Sequence, residues 1–456
     1  MSMDEETKRY AEISHVLEQL VELGTAFSGA ALPAASITKI VHKIDRNKLD
    51  DTERAVYDSI CATINYENNK EIYDNIIFKD HSFKSPGNFD NRQVAAAFFE
   101  DKYSGDVYFS ARGTGNYRWP DNGTLMTVEE SLLQGKTCEY FDYVIGQFYK
   151  EGLPENGNLI LAGHSKGGND AQYITLFSKH RELIDICFNF DGPGFSDEAR
   201  NRFFRECEEE GIDPNEILNK IYGIVGENDF VFNRGRNIMI PDENIYYVST
   251  PDAKEFANFH HAHFMSSPSG LNWQADGNGI INGEPGTIGK LSILLQEMER
   301  EFPKNVYEAS SMSIMSIIEM GLGAGSEARD VEWVGWATPE QWQLFLKEGL
   351  PTMLDLLRDN PDLLHELPDL LFDINLPPIV TDAIAGTLLD IASWLPHHIL
   401  VDSTTSFIVG GNANWPAIGA LIFSALPEIG LHKMLPILFL MASALVVKHL
   451  STHSMA

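Results

Sequence analysis

Residues 163–168, Gly-His-Ser-Lys-Gly-Gly, constrain the fold of this chain more than any other segment. An apolar run directly precedes them, and a stretch with helical spacing follows. The pattern predicts a strand, a sharp turn and a helix, with Ser165 at the apex of the turn. A strand and a helix approach each other closely at such a turn, so the residues two before and two after the serine must be very small. Gly163 and Gly167 meet this demand.

Short apolar runs alternate with helix-like segments through the middle of the chain. The predicted strands are Val107–Ala111, Leu159–Ala162, Ile186–Phe190, Ile221–Val225 and Ile245–Val248, and the predicted helices between them are Glu129–Lys150, Asn169–Lys179 and Asp197–Glu210. Helical spacing also covers residues 5–47, with a break near 29–34, and residues 50–68. Because the strands are almost purely apolar, we expect an α/β fold with a mostly parallel sheet that helices cover on both faces.

The character of the sequence changes after Gly286, so we expect two domains, 1–286 and 287–456. The second is predicted to be all-helical, with helices at Leu291–Glu301, Ser310–Met320, Pro339–Leu346 and Met353–Leu371. Trp415–Leu426 and Leu431–Val447 are apolar but short for membrane spans, which predicts a hydrophobic hairpin. Burial in the core is the simplest account of this hairpin, and a partner-covered or membrane-inserting hairpin is the alternative.

The composition limits which partners and which cellular compartment we expect for this chain. The net charge of −32, from 34 basic and 66 acidic residues, predicts repulsion from nucleic acid. Four widely spaced cysteines without a CxxC pair are typical of reduced thiols. The polar, acidic N-terminus predicts no cleaved secretory signal, so we expect a cytoplasmic protein or one exported by another route.

A serine hydroxyl becomes a nucleophile only when a base accepts its proton and a third group orients that base. The acid of such a triad is expected at the end of a later strand. Asp229 follows the strand Ile221–Val225 and is the preferred candidate, with Glu227 as its nearest rival. Asp191 also ends a strand, but it is better placed to shape the turn beside Ser165.

The base is expected after Asp229, where His260, His261 and His263 lie together. We prefer His261 and take His263 as the second choice, because a short loop after the last strand is where this base belongs. Histidines this close could also bind a metal. No acidic or cysteine partner lies at ligand spacing, so no metal and no organic cofactor is expected.

Two hydrogen-bond donors must stabilise the negative oxygen that forms during such a reaction. The backbone N–H of Lys166, directly after the serine, is one candidate. The other is Thr114, in the Arg-Gly-Thr segment at the exit of an early strand.

These segments together resemble the class 3, fungal-type lipases, and more closely a bacterial relative with lysine after the serine. The resemblance covers residues 90–270 and is most specific at 163–168 and at 190–195, Phe-Asp-Gly-Pro-Gly-Phe. It implies an alpha/beta-hydrolase fold with Ser165 as nucleophile and Asp229 as acid. It also implies a lid at 115–127, which contains Tyr117, Trp119 and Leu125.

The expected function is therefore that of a serine esterase acting on lipids, such as a phospholipase A or a lysophospholipase. The alternatives are a thioesterase or another acyl hydrolase with the same triad, and a degenerate hydrolase domain that serves as an interaction platform. The layout of a lipase domain before helices also resembles the lipase toxins of bacterial type VII secretion. The C-terminal helices are then expected to bind a membrane surface or a small helical partner.

Overall fold

The computed structural model describes residues 3–65, 69–82, 94–114, 119–227, 229, 231–248, 263, 285–321, 337–349, 408–409 and 412–413. The chain forms two compact units, the first made of 1–115, 128–254 and 258–293, and the second of 116–127, 255–257 and 294–456. The predicted helix Met353–Leu371 and both arms of the predicted hydrophobic hairpin, Trp415–Leu426 and Leu431–Val447, lie outside the described residues. The domain boundary after Gly286 stays a prediction.

A seven-stranded sheet organises the first unit. Its strands are β1 (Ile76–His81), β2 (Ala96–Asp101), β3 (Val107–Ala111), β4 (Leu159–His164), β5 (Ile186–Phe190), β6 (Ile221–Gly226) and β7 (Ile245–Val248). They lie side by side in chain order; β1 to β3 pair antiparallel, and β3 to β7 pair parallel. This sheet, with its flanking helices, confirms the predicted α/β class. The strands β1 and β2 were not predicted, because polar side chains interrupt their apolar pattern.

The helices of the first unit cover the sheet on both faces. They are α1 (Glu5–Glu22), α2 (Gly24–Ala30), α3 (Ile37–Lys43), α4 (Asp51–Ile64), α5 (Asn69–Asn75), α7 (Leu132–Phe148), α8 (Lys166–Phe177), α9 (Asp197–Glu210) and α10 (Pro214–Leu218). Side chains of β4 alternate between the two sides: Ile160 packs in the core with α1 to α4, and Leu161 packs in the core with α7 to α9. The N-terminal helices therefore form one of the two helical layers of the first unit.

Helix α1 begins with an N-cap and is buried along most of its length. Asp4 accepts a hydrogen bond from the backbone N–H of Thr7 at 2.8 Å, which satisfies a donor of the first turn. Apolar residues at helical spacing, such as Ile13, Val16 and Leu20, face the sheet. The same helix also buries His15 and Glu18, so its inner surface carries ionisable groups.

The second unit contains α6 (Trp119–Leu125), part of α11 (Thr287–Glu301), α12 (Lys304–Gly321) and α13 (Pro339–Leu344), which continues into a π-helical turn at Phe345–Gly349. Two-residue strands, β8 (Ile408–Val409) and β9 (Asn412–Ala413), form a hairpin that departs from the all-helical prediction. Leu125 is fully buried with Met126 and Met315, so this apolar side chain of the predicted lid faces a core. None of the described helices is both long and apolar enough to span a bilayer.

Candidate active site

Ser165 lies between the end of β4 and the start of α8, at the turn that the sequence predicts. Its backbone has φ 53° and ψ −126°, a positive-φ conformation that non-glycine residues adopt only when their surroundings enforce it. Its N–H donates to the carbonyl oxygen of Phe190 on β5 at 2.7 Å, which holds the turn against the neighbouring strand. The serine is 5% exposed.

The glycines of the turn allow three backbones to meet. A Cβ on Gly163 would overlap the carbonyl oxygen of Gly167, and a Cβ on Gly167 would overlap the carbonyl oxygen of Ala111 at the end of β3. A Cβ on Gly192 would lie 2.5 Å from the carbonyl oxygen of Ser165. The exits of β3, β4 and β5 are therefore packed together around Ser165.

Asp229 and His263 form a buried hydrogen-bonded pair. Nδ1 of His263 lies 2.8 Å from Oδ1 of Asp229, and Oδ2 of Asp229 accepts from the N–H groups of Val231 and Phe232 at 2.8 and 2.6 Å. A carboxylate only accepts, so Nδ1 carries a hydrogen and Nε2 is left with the lone pair of a neutral imidazole. Burial lowers the pKa of His263, and the Asp229 carboxylate partly opposes this shift.

His164 connects this pair to the turn. Its Nε2 donates to the carbonyl oxygen of His263 at 2.8 Å, and the two rings lie 4.6 Å apart, centre to centre. These contacts bring His263 against His164, the residue that directly precedes Ser165. The preferred base, His261, and its neighbour His260 lie outside the described residues, whereas the second choice, His263, is the one bonded to Asp229.

Asp191 lies close to this pair without bonding to Asp229. It also has a positive φ, 53°, and its Oδ1 accepts from the N–H of Gly226 at 2.9 Å. Burial and then the Asp229 carboxylate raise the pKa of Asp191 well above its ordinary value. Gly192, which follows Asp191, packs against Ser165. This contact agrees with the turn-shaping role that the sequence suggests for Asp191.

Three side chains of the candidate site lie close enough together to be considered as metal ligands. Among the described residues, ligand atoms of Asp191, Asp229 and His263 lie within 4.8 Å of one another. Asp229 and His263 are already bonded to each other, and an ion between them would have to break that bond. The rival acid Glu227 donates its backbone N–H to Val248 at 2.9 Å and is partly exposed. The absence of a metal stays a prediction.

The two predicted oxyanion donors follow the ends of β3 and β4. Lys166 is the first residue of α8, where N–H groups point out of the helix end. Its buried ammonium lies 2.9 and 2.7 Å from the two carboxylate oxygens of Asp170, one turn further along. Thr114 follows Gly113, whose N–H donates to Oε1 of Glu22 at 2.5 Å.

Sequence reasoning missed the ionisable residues of α1 that lie behind the turn. His15 and Glu18 are 2.8 Å apart and almost fully buried; burial lowers the pKa of His15 to about 3 and raises that of Glu18 well above its ordinary value. Glu22 contacts Gly113 and His164. The available signal was the spacing of three and four residues between His15, Glu18 and Glu22, which places them on one face of a helix.

The chain is similar to a known family and to a solved structure. A family model described as Mbeg1-like matches residues 71–210, which include Ser165 and end before Asp229. The crystal structure of Lip2 lipase from Yarrowia lipolytica is similar at a TM-score of 0.33 and 13% sequence identity, over 55% of this chain and 81% of the lipase chain. No curated protein sequence matches.

Proposed function

We propose that this chain is a serine hydrolase of carboxylic esters, with Ser165 as nucleophile, His263 as base and Asp229 as the orienting acid. The observation that carries the proposal is the contact of His263, bonded to Asp229, with the residue next to a positive-φ serine. A neutral imidazole with its lone pair on Nε2 is the form a base requires.

The reaction follows the usual order for an acyl-enzyme. Oγ of Ser165 bonds to the ester carbonyl carbon while Nε2 of His263 accepts the hydroxyl proton, which His263 then returns to the departing alcohol. Water then attacks the acyl carbon while His263 accepts its proton; the bond from this carbon to Oγ of Ser165 breaks, His263 returns the proton to Oγ, and a carboxylic acid leaves. The N–H groups of Lys166 and Thr114 are the proposed donors to the negative oxygen of each tetrahedral intermediate.

We propose a lipid ester as the substrate, with phospholipid or lysophospholipid as the leading class. Support comes from the motifs at 163–168 and 190–195, which resemble those of lipases, and from the apolar residues of the segment after Thr114. A membrane surface or a small helical partner for the C-terminal helices remains part of this proposal.

Product analysis tests the proposal directly. Purified protein is incubated with p-nitrophenyl butyrate, phosphatidylcholine vesicles and lysophosphatidylcholine, and released acids are identified by mass spectrometry. Ser165→Ala should abolish release. Ser178→Ala, at the other end of α8, is the matched control because Ser178 is buried and bonds to Asp142 at 2.6 Å. Equal release by wild type and Ser165→Ala would refute the proposal, and release from a thioester alone would make the chain a thioesterase.

A further inference from the structure

Glu22 lies at a position that is electrostatically unfavourable for a carboxylate. It is the last residue of α1, where the negative end of the helix dipole disfavours an anion. Its side chain is only 15% exposed. It nevertheless reaches two groups of the candidate active site.

The first contact is with the exit of β3. Oε1 of Glu22 accepts the N–H of Gly113 at 2.5 Å, and a Cβ on Gly113 would lie 2.9 Å from that oxygen. Gly113 immediately precedes Thr114, so this bond fixes the backbone that carries the second proposed oxyanion donor.

The second contact is with His164. Oε1 of Glu22 lies 3.4 Å from Nδ1 of His164, and Nε2 of the same ring donates to the carbonyl oxygen of His263. A carbonyl oxygen only accepts, so Nε2 must carry a hydrogen. The ring thus lies between the carboxylate of α1 and the backbone of the proposed base.

We propose that Glu22 and His164 act together as positioning residues, which hold the backbone of His263 and the Gly113–Thr114 segment in register with Ser165. This inference rests on the proposed function and deepens it. The two side chains touch no reacting atom; they act through the peptide groups of residues that do. The N-terminal helix is thereby a working part of the site as well as a cover for the sheet.

Kinetics of matched variants test the proposal. On p-nitrophenyl butyrate, Glu22→Ala and His164→Leu should each lower kcat about 10- to 100-fold with KM changed less than about twofold, because small misplacements of reacting groups act on the rate. His164→Gln keeps an N–H donor for the His263 carbonyl and should restore most of kcat. The double variant Glu22→Ala/His164→Leu should lose no more than the worse single variant, because the two act as one unit.

Glu12→Ala is the control for simple loss of a buried carboxylate from α1. Glu12 is 6% exposed and accepts from Asn69 at 3.1 Å, away from the turn. It should leave kcat unchanged, with folding of every variant checked by circular dichroism. Equal losses in Glu12→Ala and Glu22→Ala, multiplied losses in the double variant, or no rescue by His164→Gln would overturn the proposal.

A second measurement separates failure of this inference from failure of the proposed function. Protein labelled with ¹⁵N-histidine, and assigned with His263→Gln, reports the ring of His263 without any substrate. Glu22→Ala should shift the His263 ring resonances and Glu12→Ala should not. If wild type hydrolyses no ester, this shift still supports the positioning role; unchanged His263 resonances in Glu22→Ala would refute it, whatever the activity.

Discussion

At the residue scale, His263 is subject to opposing influences on its proton. Burial and the neighbouring His164 favour the neutral ring, and the Asp229 carboxylate favours the charged one; burial is the larger effect, so the pKa is lowered. Glu22 also faces this ring and opposes the shift. Asp191 lies in the same group, and burial and the Asp229 carboxylate raise its pKa.

A pH–rate profile follows from this balance. A base works only when unprotonated, and a lowered pKa keeps His263 unprotonated at pH values where a free imidazole is already charged. The acidic limb of kcat/KM should therefore have its midpoint below the ordinary histidine pKa of about 6.5. We expect this on p-nitrophenyl butyrate between pH 4.5 and 9. A second ester with a different leaving group should give the same midpoint, and a midpoint above about 6.5 would contradict the assignment.

The sequence predicts the parts of the site that lie close together in the chain better than those that come from distant segments. The turn at Ser165 is predictable because strand, glycines and helix lie within a few consecutive residues. The choice between His261 and His263 is not predictable, since the two lie only two positions apart in the sequence and the pattern of residues does not distinguish them. Glu22 could not be assigned to the site, because only the folded chain brings α1 against β4.

At the element scale, α8 begins at Lys166, three residues before the predicted start. Gly167 and Gly168 weaken a helix in isolation and so concealed its first turn from the sequence pattern. In the folded chain the same glycines allow α8 to approach β3 and Asn189. Side-chain bonds then reinforce the turn: Lys166 and Asp170, 4% and 5% exposed, form an ion pair, and Thr137 on α7 donates to Asp170 at 3.3 Å.

Breaking this ion pair should cost much more than breaking an exposed one. Asp170→Ala leaves the buried ammonium of Lys166 without its carboxylate, and we expect a loss of roughly 3–5 kcal/mol in the free energy of unfolding by urea. The control is Glu139→Ala, which breaks the exposed pair with Lys136 at 2.7 Å and should cost less than about 1 kcal/mol. Similar losses in both variants would show that burial does not set the strength of the pair.

At the scale of the whole molecule, the N-terminal helices cover one face of the sheet and the crossover helices cover the other. The sequence predicts that helices cover both faces of the sheet, but not which helices cover which face. That assignment depends on strand order, and in the described sheet each strand follows its predecessor in the same direction across the sheet. The crossovers then occupy one side, and α1 to α4 are left to fill the other.

Substitution of Phe27 tests how much the N-terminal helices contribute to the free energy of unfolding. Its fully buried ring on α2 packs against Phe78 and Phe99 of the sheet, with ring centres 6.0 and 6.1 Å apart. Phe27→Ala should lower the free energy of unfolding by roughly 3–5 kcal/mol through the cavity it leaves. Phe148→Ala, whose ring is 51% exposed, should change it by less than about 0.5 kcal/mol. Thermal and urea unfolding of both variants measure the difference.

The strained backbone of Ser165 determines how substitutions at this position should change stability. A side chain at φ 53°, ψ −126° costs about 1–3 kcal/mol that glycine would not incur. Ser165→Gly should therefore raise the melting temperature, whereas Ser165→Ala keeps the Cβ and should not, and calorimetry of the two inactive proteins compares them. If Ser165 is the proposed nucleophile, glycine at this position would give a more stable but inactive protein, and selection for hydrolysis would be needed to keep the serine.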